Sequence, residues 1–414
     1  MKIAMVSEHA SPLADFGGPD AGGQNVHVAE LAAALTRDGH DVTVYTRRDR
    51  RRTPVVVTAD AGYRVHHINA GPPQSIPKDD IFPHLGAFAD ELGEALIADR
   101  PHVIHAHFWM SGLAAILAGK PLGLPVVVTY HALGAEKRRF QGSEDTSPPS
   151  RIAMETVIAR HADMIAATCT EEVFALSRMG APTDRVTVVP CGVDLDAFAA
   201  PADPPAVLTP RRTNHRVVSV GRLVPRKGFE VAIEALAEVP DTELVIVGGP
   251  ADGDVLDDPE GARLWSRAQE LGVADRVLLT GRMDRDMMPA ILQCGDLVLC
   301  TPWYEPFGMV PLEAMSAGTP VVAAAVGGLR DTVASGVCGE LVPPRDPHAL
   351  AETLNALLAD RNRIDGYSAA GLERVRTRYT WARVASETAR IYRRVVAARG
   401  NTPAESETRD RSHA

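Results

Sequence analysis

The stretch EPFGMVPLE, residues 305 to 313, sets a carboxylate at each end of a run that is otherwise apolar and carries a glycine at Gly308. The preceding DLVLCT reads as a strand, and MVPLEAMSAG as a helix starting near Gly308. Glu305 then lies just ahead of a helix start and Glu313 one to two turns inside it. Unpaired N–H groups at such a start attract anions and polar oxygens. Carboxylates accept hydrogen bonds from hydroxyl pairs, each worth about 1.5–3 kcal/mol, so the vicinal diols of a sugar and a ribose are suitable ligands. Taken alone, the spacing reads as a helix cap and a solvated helical residue. Its company argues otherwise. VGRLVPRKGFE offers Arg222 and Lys227 beside Gly221 and Gly228 at the end of another strand, and two permanent cations there suit a diphosphate. GGPDAGGQN follows the first strand, where Gly22 and Gly23 let backbone N–H groups approach a phosphate and Asn25 could cap the helix. It is neither a GxGxxG fingerprint nor a Walker A loop. His131 ends the strand VVVTYHA. A solvated loop, a tight turn and a structural histidine are the plain alternatives for these three.

Something must bring these pieces to one place. KIAMV, VTVYT, VIHAHF, VVVTYHA and MIAAT are short apolar runs separated by helical stretches, the pattern of buried parallel strands with crossover helices. The rhythm restarts with RVVSVGR, ELVIVGG, RVLLTG, DLVLCT and PVVAAA. Between them, residues 199–215 carry Pro201, Pro204, Pro205 and Pro210 with little periodicity, which marks a linker. The expected organisation is α/β: a doubly wound domain over 1–198, the linker 199–215, a second doubly wound domain over 216–375, an amphipathic helix over 376–399 capped by Thr380, and a polar tail, 400–414, read as disordered. Two such sheets facing one another place the carboxyl ends of their strands on the walls of one crevice.

At 414 residues, with 45% hydrophobic and 23% charged side chains, the chain exceeds one ordinary core. A net charge of -10 and 5% aromatics argue against a nucleic-acid partner, which would need a basic footprint. The cysteines, Cys169, Cys191, Cys294, Cys300 and Cys338, form no CxxC pair, so neither a zinc site nor a disulfide framework is indicated, and no metal is expected. With no signal-peptide core and no membrane-length apolar run, the expectation is a cytoplasmic protein without a membrane partner. RRDRRR, residues 47 to 52, reads as a solvated loop, with steering of an anion as the alternative. Oligomeric state is not legible.

GGQN after the first strand, GRLVPRKG in the second half and EPFGMVPLEAMSAGTPVVAAAVGG together resemble the retaining glycosyltransferases of family 4, which have the GT-B fold. AGGQNVHVAEL, VIHAHFWMSGL and YHALGAEK resemble most the inositol-phosphate N-acetylglucosaminyltransferases of mycothiol synthesis and the sucrose-phosphate synthases. The resemblance implies that Glu313 holds ribose hydroxyls and Glu305 a hydroxyl of the donor sugar. Amides of Phe307, Gly308, Met309 and Val310 would line that sugar, and Arg222 and Lys227, joined by Gly23 and Asn25, would bind the diphosphate. Arg282 and Met283 would meet the base, and His131 the sugar near its reacting carbon. It further implies a UDP-type donor, no metal and no separate cofactor, front-face substitution with retention, and a final helix whose Trp381 marks a return to the first domain. On the acceptor side Lys78 and Arg151 match the family pattern, and Lys137 is a further acceptor-binding candidate. Phe108 and Ala132 replace the tyrosine and threonine that would donate hydroxyls to an acceptor phosphate. At about 1 kcal/mol each, their loss weakens phosphate binding roughly thirtyfold unless Arg138 and Arg139 compensate. The expected acceptor is a small polyol, sugar or aminocyclitol other than inositol phosphate. The competing readings are an inositol-phosphate N-acetylglucosaminyltransferase, a sucrose-phosphate-type synthase, a non-hydrolysing UDP-sugar epimerase and a nucleotide-sugar-binding pseudoenzyme.

Overall fold

A computed structural model of the chain describes residues 1–14, 22–142, 145–250 and 253–400. The first sheet contains β1 (Lys2–Val6), β2 (Asp41–Arg47), β3 (Val56–Thr58), β4 (Arg64–Ile68), β5 (Val103–His107), β6 (Val126–Thr129), β7 (Met164–Ala167) and β8 (Val186–Val188). The second contains β9 (His215–Val220), β10 (Thr242–Val247), β11 (Val277–Leu279), β12 (Leu297–Cys300), β13 (Val321–Ala324) and β14 (Gly339–Val342). Their orders are β3-β4-β2-β1-β5-β6-β7-β8 and β11-β10-β9-β12-β13-β14, parallel throughout except for β3 against β4. The near-continuous apolar strands follow from burial on both faces: Ile3, Ala4, Met5 and Val6 are all buried, as are Val321, Val322, Ala323 and Ala324. β3, β4, β8 and β14 escape the sequence pattern because they are short edge or near-edge strands, three of them carrying exposed or histidine-rich faces.

Each sheet reverses its winding once, between β1 and β5 in the first and between β9 and β12 in the second. Ligands of open parallel sheets bind outside the carboxyl ends of the strands at such reversals. The residues there are Ser7–His9 and Phe108 on one side, Gly221–Arg222 and Thr301–Glu305 on the other.

The segment 199–215 is not a free tether. Phe198 from the helix Leu195–Ala199, and Leu208, are buried among Val218, Val245, Ile291 and Leu312 of the second domain. The chain passes between domains at Val193, whose N–H donates to the Tyr379 carbonyl at 2.8 Å on the returning strand of chain. Gly192 is required here, since a β-carbon would lie 2.5 Å from the Trp381 ring. The helix Trp381–Gly400 then runs on the first domain, with the Thr380 hydroxyl accepting from the Arg383 N–H at 3.2 Å. Val384, Ala385, Ile391, Tyr392 and Val395 share a core with Ile3, Val28 and Leu31. Each large apolar side chain so buried contributes about 1.5–3 kcal/mol, so this last helix is an integral part of the first domain. The tail 401–414 lies outside the described residues. No helix among the described residues is long and apolar enough to cross a membrane.

Candidate active site

The second domain builds its wall from two close approaches. Gly228 follows Lys227 with a φ of +67°, and a β-carbon there would lie 2.0 Å from the Thr301 carbonyl. That contact sets Lys227 over the carboxyl end of β12. Gly327, at a φ of +47°, would place its β-carbon 2.1 Å from the Glu305 carbonyl, and the Gly328 N–H donates to that carbonyl at 2.8 Å. The glycine pair of AVGG therefore supports the EPFG turn from below. Gly308, in the left-handed region, caps the helix Met309–Ser316.

On this frame Lys227 Nζ meets Glu305 Oε2 at 2.5 Å, and Arg285 meets Glu313 Oε1 at 3.0 Å. The Glu305 side chain is 15% exposed and that of Glu313 8%. Burial pushes the Glu305 carboxyl up, but the Lys227 ammonium, with Arg226 behind it, outweighs that and holds it below the usual range. For Glu313 burial wins over Arg285, and its carboxyl sits above the usual range. Arg282 and Met283, half-buried, follow β11 in the loop leading to Arg285. Arg222 is exposed just past β9. Phe307, Met309 and Val310 are half-buried around the helix start.

The first domain faces this wall with the start of its helix Gly23–Arg37. A β-carbon on Gly23 would lie 3.1 Å from Met309 Sδ, so two helix N-termini meet across the crevice. Residues 17–21 of the glycine-rich turn lie outside the described residues. Asn25 is not the cap: it stands one turn in, accepts the Gly22 N–H at 3.1 Å and donates to the Ser11 carbonyl at 2.9 Å. His131 is buried, with a φ of +63° and its ring 5.1 Å from Phe307 of the second domain. Behind it stand His107, His105 and His27. Desolvation pushes His27 down to about 4 and His105 to about 3. It pushes His107 and His131 well below the ordinary value, with the neighbouring histidines adding to the effect.

Beside them, the Phe108 ring is flanked by Lys78 Nζ at 5.5 Å, the Arg151 guanidinium at 4.9 Å and the His9 ring at 4.9 Å. Arg151 donates to Glu155 at 2.8 Å, Ser147 at 3.1 Å and the Ala132 carbonyl at 2.6 Å. Lys137 pairs with Asp145 at 2.9 Å. Arg138 and Arg139 turn to Asp145 and Glu136, at 3.8 and 3.5 Å. In RRDRRR, Arg47 is structural and buried, donating to the Pro72 and Gln74 carbonyls, Arg48 is half-buried and donates to the Thr53 carbonyl, and Arg50, Arg51 and Arg52 are exposed.

Comparison with known proteins shows the family and the fold. Residues 205–373 match the family "Glycosyl transferases group 1", and residues 22–192 match "Glycosyl transferase 4-like domain". The chain is 37% identical over 407 residues to a D-inositol 3-phosphate glycosyltransferase of Xylanimonas cellulosilytica, covering 94% of this chain and 96% of that protein. The chain belongs to the group 1 glycosyltransferases. It is also 36% identical over 364 residues to a D-inositol 3-phosphate glycosyltransferase of Mycolicibacterium smegmatis, covering 86% of this chain and 83% of that one. A sucrose-phosphate synthase from Thermosynechococcus elongatus superimposes with a TM-score of 0.85 at 32% identity, over 96% of this chain and 99% of that one. An Anabaena protein solved with UDP and glucose shares the fold, with a TM-score of 0.71 at 22% identity over 94% and 98% of the two chains. The two lobes are those of a GT-B glycosyltransferase.

Within this glycosyltransferase the structure adds residues that the sequence did not single out. Arg285 lies three positions beyond Arg282 in a polar loop, and only the fold turns it onto Glu313. Glu8 and His9, joined at 2.6 Å, follow β1 at the switch point. Their position at a strand end was the available signal. Among the described residues no group of three or more His, Cys, Asp or Glu could hold a metal ion.

Proposed function

We propose that this glycosyltransferase moves a hexosyl group from a nucleoside diphosphate sugar, of UDP type, to a hydroxyl of a small polyhydroxyl acceptor, with retention and without a metal ion. The observation that carries the proposal is the pair of ion pairs, Lys227–Glu305 and Arg285–Glu313, side by side at the switch point of the second sheet. Both can exchange partners on binding: the cations toward phosphate oxygens, the carboxylates toward sugar and ribose hydroxyls. Such charge-assisted bonds are about twice as strong as neutral ones.

In this reading Lys227 and Arg222, with the converging N-termini of Gly23–Arg37 and Met309–Ser316, neutralise the leaving diphosphate, which is the role a metal would otherwise fill. Glu305 orients the sugar and is not the nucleophile. The attacking hydroxyl enters from the face the diphosphate leaves, and a leaving phosphate oxygen takes its proton. The backbone of Arg282 and Met283 meets the base. His131, Phe307 and the amides of Gly308, Met309 and Val310 enclose the sugar. Free thiols at all five cysteines fit a cytosolic setting.

Phe108 stands with Lys78, Ala132, Lys137 and Arg151 on the acceptor side. Two of these cations have carboxylate partners already, Arg151 in Glu155 and Lys137 in Asp145. That supports an acceptor other than inositol 3-phosphate, although relatives carry that name. The test is mass spectrometry of products from UDP-sugars offered against polyols, sugar phosphates, aminocyclitols and inositol 3-phosphate. Transfer to a neutral polyol, with an α-linked product from an α-linked donor in the presence of a chelator, is expected. Rapid transfer to inositol 3-phosphate with weak transfer to neutral polyols would overturn the acceptor assignment.

A further inference from the structure

His131 and His107 share one hydrogen bond, His131 Nε2 to His107 Nδ1 at 2.9 Å. Each ring has a second nitrogen without any partner, Nδ1 of His131 and Nε2 of His107. Both rings are buried, and desolvation with the adjacent histidines keeps both neutral at neutral pH. Two neutral imidazoles carry two N–H protons between them, and the shared hydrogen bond uses one. The other resides either on His107 Nε2 or on His131 Nδ1.

The surroundings decide between them. His107 is 0% exposed and has the His105 ring, tilted by 40°, with its centroid 4.2 Å away. His105 is itself fixed by the Tyr392 hydroxyl at 2.7 Å and Thr129 at 3.0 Å, and has no nitrogen to offer. A proton on His107 Nε2 would be an orphaned buried N–H, rarer in folded proteins than an under-used acceptor. His131 Nδ1 is likewise buried and unpartnered, but its ring stands at the interdomain crevice against Phe307, where the oxygen of a bound ligand can accept from it.

We propose that His107 is a positioning residue: it donates from Nδ1 to His131 Nε2, fixes His131 as its Nδ1–H tautomer, and so makes His131 a neutral hydrogen-bond donor toward an oxygen of the bound nucleotide sugar. The final part rests on the donor-site reading above, and the tautomer itself does not. The crossing helix contributes through Tyr392, which braces His105 and hence the floor on which His107 lies. In this state His131 cannot act as a base, because its one lone-pair nitrogen is occupied by His107.

Two measurements test this. In the full-length protein labelled with 15N-histidine, a long-range 15N–1H correlation, assigned by the loss of signals in His131→Gln, should show His131 with a protonated Nδ1 and an unprotonated Nε2. The reverse pattern overturns the proposal. Separately, His107→Asn keeps an amide donor near the Nδ1 position, whereas His107→Asp offers only acceptors and turns His131 to the Nε2–H form. His107→Asn should hold kcat within about threefold, while His107→Asp loses roughly 10–100-fold in kcat with little change in donor KM. Equal rates in two folded variants would overturn the positioning role. Should His107→Asp not fold, the tautomer measurement on the unmodified chain decides. A wild-type protein that shows the Nδ1–H tautomer yet fails to bind UDP-sugars counts against the donor-site reading and leaves the tautomer standing.

Discussion

The two walls of the crevice solve the burial of polar groups in opposite ways. The second domain sets full charges against each other, Lys227 with Glu305 and Arg285 with Glu313, so that each ion's desolvation is offset by its partner. The first domain buries His27, His105, His107 and His131 as neutral rings and lets desolvation strip their protons. A paired ion is ready to exchange partners when an anion or a diol arrives. A neutral imidazole in a fixed network has one tautomer to offer and little freedom to change it. The charged wall is therefore suited to gripping the donor, and the neutral wall to shaping the space in which the sugar reacts.

The contrast breaks most sharply at Lys227. In Lys227→Ala the Glu305 carboxylate loses the cation that holds its pKa down, and the leaving diphosphate loses a donor. A loss of about 10²–10³ in kcat/KM is expected, as for other groups that stabilise transition-state charge, read as UDP released on adding acceptor. Rates within threefold of the wild type would mean that the pair only holds the fold.

Arg285→Ala and Glu313→Gln probe the outer ion pair, which in this reading holds the ribose before and during the reaction alike. Removing uniform binding raises KM for the donor and leaves kcat nearly unchanged. The expected rise is roughly tenfold, from one charge-assisted hydrogen bond. A fall in kcat at unchanged KM would transfer Glu313 to the reacting centre.

The neutral wall is sharpened by pH. His27 and His105 have folded values near 4 and 3 against an ordinary 6.5, so between those values and 6.5 the unfolded chain binds more protons than the folded one. Their contribution to stability is complete above about 6.5 and is lost as pH falls. At pH 5.5 two such groups account for about 3 kcal/mol. Thermal melting between pH 7.5 and 5.5 should show a falling Tm, and His27→Gln should remove about a quarter of the slope, because His107 and His131 are depressed as well. A flat profile would show these rings protonated in the native state.

Legibility in sequence followed the same division. Glu305, Glu313, Lys227 and the helix start at Met309 stand out through their company, several charged and glycine-bearing strand ends in one chain, and not through their spacing alone. The two-sheet architecture was readable from strands buried on both faces, such as KIAMV and PVVAAA. Four strands were not, since edge strands like Val56–Thr58 lack that apolar signature. Arg285 was hidden because nothing local distinguishes it from Arg282. The histidine cluster assembles from residues 27, 105, 107 and 131, and only the sheet brings them into contact. The segment 199–215 reads as a linker because its prolines conceal that Leu208 is a core residue.

The smallest expected effect lies where the walls touch away from the ligands. Asp331 Oδ2 of the second domain accepts the Thr170 N–H at 2.6 Å, at the start of the first-domain helix Thr170–Arg178. Glu171 Oε2 accepts the Gly327 N–H at 2.7 Å in the opposite direction. A carboxylate at a helix N-terminus is worth about 0.3–1 kcal/mol at an exposed site. Asp331→Asn keeps a hydrogen-bond acceptor but removes the charge, so it tests the latch without deleting the contact. If these bonds hold the lobes together during turnover, the substitution shifts the open-to-closed ratio by roughly two- to fivefold. Water then reaches the sugar more often, since closure is what excludes it. Donor hydrolysis should therefore rise relative to transfer, while affinity for UDP stays within twofold because neither ion pair of the donor wall is touched. An unchanged hydrolysis-to-transfer ratio would place the closing force in the Gly23–Met309 and His131–Phe307 contacts instead, making the neutral wall the part that shuts the crevice.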